Sequence, residues 1–122
     1  MTIREKRAYD PPSGSDGRRY LVDRLWPRGM GRNDLRVDEW LRDLAPSPRL
    51  RAWYRHDPVK YAEFRRRYRE ELRSKQELLD RLVQEARAGT ITLVFAARDA
   101  EHSNARVLVE LLGEQLRGRL PK

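Results

Sequence analysis

The segment from Thr90 to Ala96 constrains the fold of this chain more than any other. It reads Thr-Ile-Thr-Leu-Val-Phe-Ala, a continuous series of β-branched and apolar residues. A strand with one solvated face alternates apolar and polar residues, whereas an unbroken apolar run is typical of a strand buried on both faces, as in parallel sheets. The segment therefore predicts a buried strand of a parallel sheet with covering layers on both sides.

Two segments near the start of the chain predict further strands. Residues 3–9 mix apolar and charged side chains and stop before Pro11, because proline lacks the N–H group that continues a ladder. Residues 19–25 contain the run Tyr-Leu-Val and are stopped by the sequence Trp-Pro-Arg-Gly. The turn-forming residues 13–17 separate the two predicted strands.

Helical spacing and capping signals predict helices in the middle of the chain. Apolar residues recur at helical intervals from residue 37 to residue 44, which predicts one helix there. The pairs Ser47-Pro48 and Asp57-Pro58 each place a capping side chain before a proline, a pattern typical of a helix start. The second pair opens the longest predicted helix, which reaches about Ala88 and allows a break near Ser74.

A last helix, from Ser103 to Leu116, gives a chain with strands near both ends and helices between them. Long helical crossovers favour parallel pairing of the strands that they connect. We therefore expect one α/β domain over residues 1–122, with a small, largely parallel sheet and surrounding helices. A frayed tail is expected from residue 118 onward.

The charge of the chain favours anionic partners, and its composition excludes several kinds of site. The formal net charge is +8, and a basic surface attracts anionic ligands or polyanions through its long-range field. The absence of cysteine excludes disulfides and thiolate metal sites, and two histidines are too few for the usual catalytic zinc site, so we expect no metal and no cofactor. Without a transmembrane run or a signal-peptide pattern, a cytoplasmic location away from any membrane is expected.

The first candidate site lies at the predicted exit of the second strand. Ligands of open α/β sheets bind outside the carboxyl ends of the strands. Arg24 and Arg28 have the guanidinium groups that grip phosphate or carboxylate, and Trp26 has a ring on which a ligand could stack. The alternative is structural, with Trp26 anchoring the loop in the core.

The second candidate site joins the buried strand to the last helix. Arg98 and Asn104 are predicted ligand-binding residues, and Asp99 and His102 are predicted catalytic residues, since a carboxylate and an imidazole can exchange protons near neutral pH. The alternative is that Asp99 or Ser103 caps the helix and that His102 is a surface residue. If the strands are parallel, this loop and the first candidate site converge on one anion-binding site.

Asp23 is predicted to support that site structurally. On a strand it would lie on the side of Leu21 and Leu25, so we expect it to be substantially buried. A buried carboxylate needs a partner, and Arg98 is the expected one because it follows the neighbouring strand. A further candidate, His56, ends a predicted helix, where the dipole stabilises an imidazolium.

The long predicted helix offers an alternative function. Its arginines fall opposite its apolar stripe and form a basic face that could follow a phosphate backbone, which makes nucleic acid a possible partner. This predicted nucleic-acid-binding face consists of Arg65, Arg66, Arg69 and Arg73. A solvated charged face that binds nothing is the other interpretation, and a non-catalytic interaction protein is a third reading of the whole chain.

Two sequence blocks resemble a known family over nearly the whole chain. They are Leu-Val-Asp-Arg-Leu-Trp-Pro-Arg-Gly at residues 21–29, and Ala-Ala-Arg-Asp at residues 96–99 followed by His102 and Asn104. The chain resembles the YeaO-like branch of domain-of-unknown-function family 488. That resemblance implies a small bacterial α/β protein with no established reaction, and the cysteine chemistry of other branches does not transfer to this chain. The sequence thus favours a site for a small phosphate- or carboxylate-bearing ligand and leaves catalysis and oligomeric state open.

Overall fold

Four strands form one parallel sheet in the computed structural model, which describes residues 1–118. The strands are β1 (Thr2–Arg7), β2 (Arg18–Leu21), β3 (Glu39–Trp40) and β4 (Thr90–Phe95), and their order in the sheet is β1-β4-β2-β3. β4 pairs with β1 on one side and with β2 on the other, always in parallel. The α/β class and the buried parallel strand predicted from residues 90–96 are therefore confirmed.

Both faces of the sheet are covered by apolar layers. On one face Ile91, Leu93 and Phe95 belong to the larger core cluster, together with residues of the long helices. On the other face Val94 and Leu21 belong to a smaller cluster, against which Trp26, Met30, Val37 and Trp40 pack. The alternating side chains of one strand thus fill two cores, which explains why β4 carries an almost unbroken apolar sequence.

Five helices accompany the sheet within residues 1–118. They are α1 (Arg32–Leu35), α2 (Pro48–Tyr54), α3 (Tyr61–Leu72), α4 (Gln76–Ala88) and α5 (Asn104–Gly118). The predicted cap of α2 is confirmed, since Ser47 Oγ accepts a hydrogen bond from the Leu50 N–H at 3.1 Å. No helix in this part of the chain is long and apolar enough to cross a membrane.

The long predicted helix is divided where the sequence allowed a break. A 3-10 turn, Arg73–Lys75, separates α3 from α4. Another 3-10 turn, Pro58–Lys60, precedes α3, and Asp57 caps it by accepting the Val59 N–H at 3.1 Å. At the other end of the chain, α5 continues to Gly118, and the rest of the predicted frayed tail lies outside the described residues.

The helix predicted over residues 37–44 is wrong. That segment contains β3 at Glu39–Trp40 and a 3-10 turn at Arg42–Leu44. The Leu41 N–H donates to the Leu21 carbonyl at 2.8 Å, so the backbone follows β2 instead of closing helical turns. Pairing with a strand distant in sequence has overridden the local helical spacing.

The second predicted strand is shorter than expected. β2 ends at Leu21, and the Val22 N–H makes its last ladder bond, to the Val94 carbonyl, at 3.0 Å. Asp23 therefore lies in the loop that follows β2 and not on the strand. This loop leaves the sheet at its carboxyl edge, next to the end of β4.

Candidate functional site

A cavity of about 790 Å³ opens at the carboxyl edge of the sheet. Residues that follow β1, β2 and β4 line it, and side chains of α2 and α3 complete its wall. Arg24, Arg28, Arg98 and Asn104 all contribute to this lining. The predicted convergence of the two loops on one concavity is confirmed, while their binding of a ligand stays a prediction.

The loop after β2 is held in place by a turn and by two indole rings. The Met30 N–H bonds to the Pro27 carbonyl at 3.3 Å, and Gly29 adopts a φ of 80°, which a non-glycine residue rarely adopts. Trp26 Nε1 donates to the Met30 carbonyl at 2.5 Å, and its ring meets Trp40 edge-on at 5.5 Å between centroids. Trp26 therefore anchors the loop and lines the cavity at the same time.

Asp23 lies in the cavity wall and ties the loop to the end of β4. Its Oδ2 accepts a hydrogen bond from the Ala96 N–H at 2.8 Å. Burial raises the pKa of Asp23, and the Ala96 N–H and the Asn104 side chain offset part of that increase. The expected pairing with Arg98 is wrong, because within residues 1–118 the Asp23 carboxylate forms no salt bridge. A backbone N–H at the end of the adjacent strand takes the place of the guanidinium.

Asn104 connects the first turn of α5 to the end of β2. Its Nδ2 donates to the Val22 carbonyl at 3.0 Å, and its side chain also interacts with Asp23 and with the buried Tyr68. Burial raises the pKa of Tyr68 well above its ordinary value, and its hydroxyl donates to the Leu44 carbonyl. Asn104 is thus a structural tie as well as a cavity residue.

Two further polar residues line the cavity. The sequence pattern does not predict Arg51 on α2 as a site residue, whereas His56 is the candidate at the end of a predicted helix, and both belong to the lining. Arg55 and His56 adopt consecutive positive φ values of 49° and 55°. Such left-handed conformations are unfavourable for non-glycine residues and persist only where the surroundings enforce them. The Ser47-Pro48 cap was the available signal for Arg51, since it places the start of a helix.

The four arginines of the lining carry unneutralised charge. Among residues 1–118, none of the salt bridges includes one of the following residues: Arg24, Arg28, Arg51 and Arg98. The Nε atom of Arg24 is also buried without a hydrogen-bond partner in that part of the chain. Buried donors normally have partners, so this Nε is an unsatisfied donor in the cavity wall.

Asp99 and His102 pair with each other outside the cavity lining. The His102 Nδ1 lies 2.6 Å from Asp99 Oδ2, and both side chains are partly exposed. The His102 ring packs edge-on against Tyr61, with centroids 4.9 Å apart, and its carbonyl accepts a hydrogen bond from Tyr54. Neither member of the pair is a cavity residue. Their catalytic role stays a prediction.

The predicted nucleic-acid-binding face of α3 is largely neutralised by glutamates. Arg65 and Arg69 reach across to α5, where they bond to Glu110 at 2.9 Å and Glu114 at 2.6 Å. The remaining pairs lie on α3 itself and at its end: Arg66 with Glu63, and Arg73 with Glu70. Paired guanidinium groups contribute less to an external field than free ones, so this face offers a polyanion little uncompensated charge.

The geometry defines a small α/β protein with an arginine-lined cavity at the carboxyl edge of its sheet. The chain belongs to the family described as "Inactive DUF488-N3 subclade", whose model matches residues 2–120. The resemblance to domain-of-unknown-function family 488 is therefore confirmed.

Curated relatives place the chain close to YeaO. It is 42% identical over 112 residues to the uncharacterised protein YeaO of Escherichia coli, covering 92% of this chain and 97% of that protein. An uncharacterised protein of Mycobacterium bovis and one of Mycobacterium tuberculosis are each 42% identical over 110 residues, covering 90% of this chain and 92% of each relative. No solved structure matches the chain.

Proposed function

We propose that this protein binds a small ligand bearing a phosphate or carboxylate group in the cavity at the carboxyl edge of the sheet. The observation that carries the proposal is the convergence on one cavity of four arginines that form no salt bridge within residues 1–118. Asp23 is the single carboxylate of that lining, so positive charge dominates the cavity. Guanidinium groups bind phosphate and carboxylate with paired, charge-assisted hydrogen bonds.

Binding without chemistry is the activity that we favour. The family description calls this subclade inactive. The pair predicted to be catalytic, Asp99 and His102, is not part of the cavity lining. A ligand held by the arginines would therefore have Asp23 and His56 as the titratable groups beside it, apart from Tyr9 and Tyr54. A binding protein for a small cytoplasmic anion also agrees with the location predicted from the sequence.

The experiment is a titration followed by NMR amide shifts and calorimetry. Ribose 5-phosphate serves as the phosphate probe and succinate as the carboxylate probe. We expect one of the two to shift the amides of Arg24, Arg28 and Arg98 saturably. Removing the side chains of Arg24 and Arg98 together should weaken binding by about 100-fold or more, because each hydrogen bond to a charged group contributes about 1.5–3 kcal/mol.

Arg32→Ala provides the matched control. Arg32 is exposed, lies on α1 and does not line the cavity, so its replacement removes the same kind of charge from the molecule. It should change the affinity by less than about twofold, the residual long-range effect of one screened charge. The proposal is wrong if neither probe binds saturably, or if the control weakens binding as much as the double variant.

A further inference from the structure

We infer that the ligand of this cavity is a nucleoside monophosphate, whose base donates hydrogen bonds to Asp23 while the arginines hold its phosphate. This inference rests on the proposed function and adds to it the group that the ligand carries besides its phosphate, a nucleobase. Its basis is the juxtaposition, in one cavity, of a ring-bearing apolar wall with two kinds of charge: guanidiniums that form no salt bridge within residues 1–118, and the one carboxylate found in the lining there.

The size and wall of the cavity exceed what a bare anion needs. Pockets for organic ligands of moderate size span about 300–1,000 Å³, and the 790 Å³ observed here falls inside that range. Part of the wall is apolar and accessible, with contributions from Leu25, Trp26 and Pro48. An inorganic phosphate would leave this surface in water, whereas a planar ring would cover it and could stack on the Trp26 indole.

The carboxylate of Asp23 indicates that the ligand carries hydrogen-bond donors in addition to its phosphate. An ionised carboxylate only accepts hydrogen bonds, and it repels a bound anion unless a donor of the same ligand lies against it. Oδ2 already accepts the Ala96 N–H and the Asn104 side chain also bonds to this carboxylate, but two carboxylate oxygens offer roughly four acceptor positions, so capacity remains. The N–H edge of a nucleobase, such as the ring N–H and amino group of guanine, supplies donors that a carboxylate can accept side by side.

Aromatic amino acids share part of this chemistry. They also combine a ring, an acid and a donor, but their donor is an ammonium group directly beside the carboxylate. In such a molecule the ammonium group and the carboxylate are bonded to the same carbon atom, so the donor and the acid cannot occupy separate parts of the cavity. The cavity volume of about 790 Å³ favours the larger ligand.

The test compares four probes by calorimetry on the full chain: GMP, guanosine, ribose 5-phosphate and L-phenylalanine. We expect GMP to bind about tenfold more tightly than ribose 5-phosphate or more, the effect of one good paired hydrogen bond to a base. Guanosine should bind weakly because it lacks the phosphate. Asp23→Asn should abolish the advantage of GMP over ribose 5-phosphate, and the variant should bind ribose 5-phosphate at least as tightly as the wild type does, because the carboxylate that repels a bound anion has been removed.

Asp23→Asn is a suitable variant because the amide oxygen can still accept the Ala96 N–H. Trp26→Leu is the second variant, and it should weaken GMP more than ribose 5-phosphate. The inference is overturned if GMP binds no more tightly than ribose 5-phosphate, if phenylalanine binds more tightly than GMP, or if Asp23→Asn leaves the advantage of GMP intact. Failure of the phosphate probes and succinate alike would instead refute the proposed function itself.

Discussion

Replacing Asp16 with Asn tests whether a buried ion pair holds the start of the sheet together. Asp16 has 0% exposure and Arg19 4%, and Asp16 Oδ2 lies 2.7 Å from Arg19 Nη1. The same carboxylate accepts the Ser13 N–H at 3.0 Å and lies 3.1 Å from Lys6 Nζ. Both oxygens are therefore occupied by donors, two of which are cations. An Asn side chain would keep one acceptor and turn its NH2 group toward a cationic donor.

The expected loss is about 3 kcal/mol of unfolding free energy. Breaking a buried ion pair by removing one partner is typically unfavourable by about 3–5 kcal/mol, because the other charge stays desolvated. We take the lower end because the Lys6 side chain is 19% exposed and admits some solvent screening. Asp23→Asn is the matched control, since Asp23 forms no salt bridge within residues 1–118 and its amide would still accept the Ala96 N–H. It should lose less than about 1 kcal/mol.

The two carboxylates should also differ in how pH affects stability. Burial alone would raise the pKa of Asp16, but the Ser13 N–H, Lys6 and Arg19 hold it below its ordinary value of 3.8. Its stabilising contribution is therefore complete above pH 3.8 and is lost as the pH falls through the lower folded-state pKa. The pKa of Asp23 is raised by burial, so its ionisation weakens the fold as the pH rises from 3.8 through the folded-state pKa.

Urea denaturation of the wild type and both variants at pH 7, and again at the lowest pH that leaves the wild type folded, measures these effects. The gap between Asp16→Asn and the wild type should be about 3 kcal/mol at neutral pH and should narrow in acid. A loss below about 1 kcal/mol at pH 7 would show that solvent already screens the pair. An equal loss in Asp23→Asn would show that charge neutralisation as such, rather than the Asp16 partners, causes the effect.

Two further substitutions test the backbone and the core. Gly17→Ala should destabilise the fold by more than about 2 kcal/mol, since its φ is 64° and a Cβ would lie 2.1 Å from the Thr90 carbonyl oxygen. Gly14→Ala, where nothing lies within 4 Å of the added carbon, should change stability by less than about 1 kcal/mol in the same urea assay. Leu93→Ala should cost about 2–5 kcal/mol because the side chain has 0% exposure, whereas Leu25→Ala, at 64% exposure, should fall within about 0.5 kcal/mol of the wild type by thermal denaturation. Equal effects within either pair would contradict the reasoning.

The elements that sequence predicted well are those whose signals are local. The β4 run, the Ser47 cap and the break between α3 and α4 each depend on residues adjacent in sequence, and each appears in the structure. The prediction of a helix over residues 37–44 was wrong, although the apolar residues there do have helical spacing. A two-residue strand paired with β2 satisfies the same apolar residues, and spacing alone does not distinguish the two outcomes.

The sequence predicted some of the residues of the candidate site but not all of them. Arg24, Arg28 and Arg98 follow strand-like runs, so the rule that parallel strands end at one edge of a sheet is enough to predict that they lie together. Arg51 lies on α2 and His56 lies just after it. Both residues line the cavity because α2 docks beside the carboxyl edge of the sheet. No spacing within the sequence encodes how a helix docks, because docking depends on the shape of the whole core.

The sequence by itself determined the class of this protein: a buried parallel strand, helices with readable caps, and an excess of arginine that favours anionic partners. Only the tertiary structure decided which arginines are free. Those of α3 are paired with glutamates of α3 and α5, whereas those around the cavity form no salt bridge within residues 1–118. The reason is physical, since the charge of a side chain is a local property but its neutralisation depends on which residues the fold brings within about 4 Å.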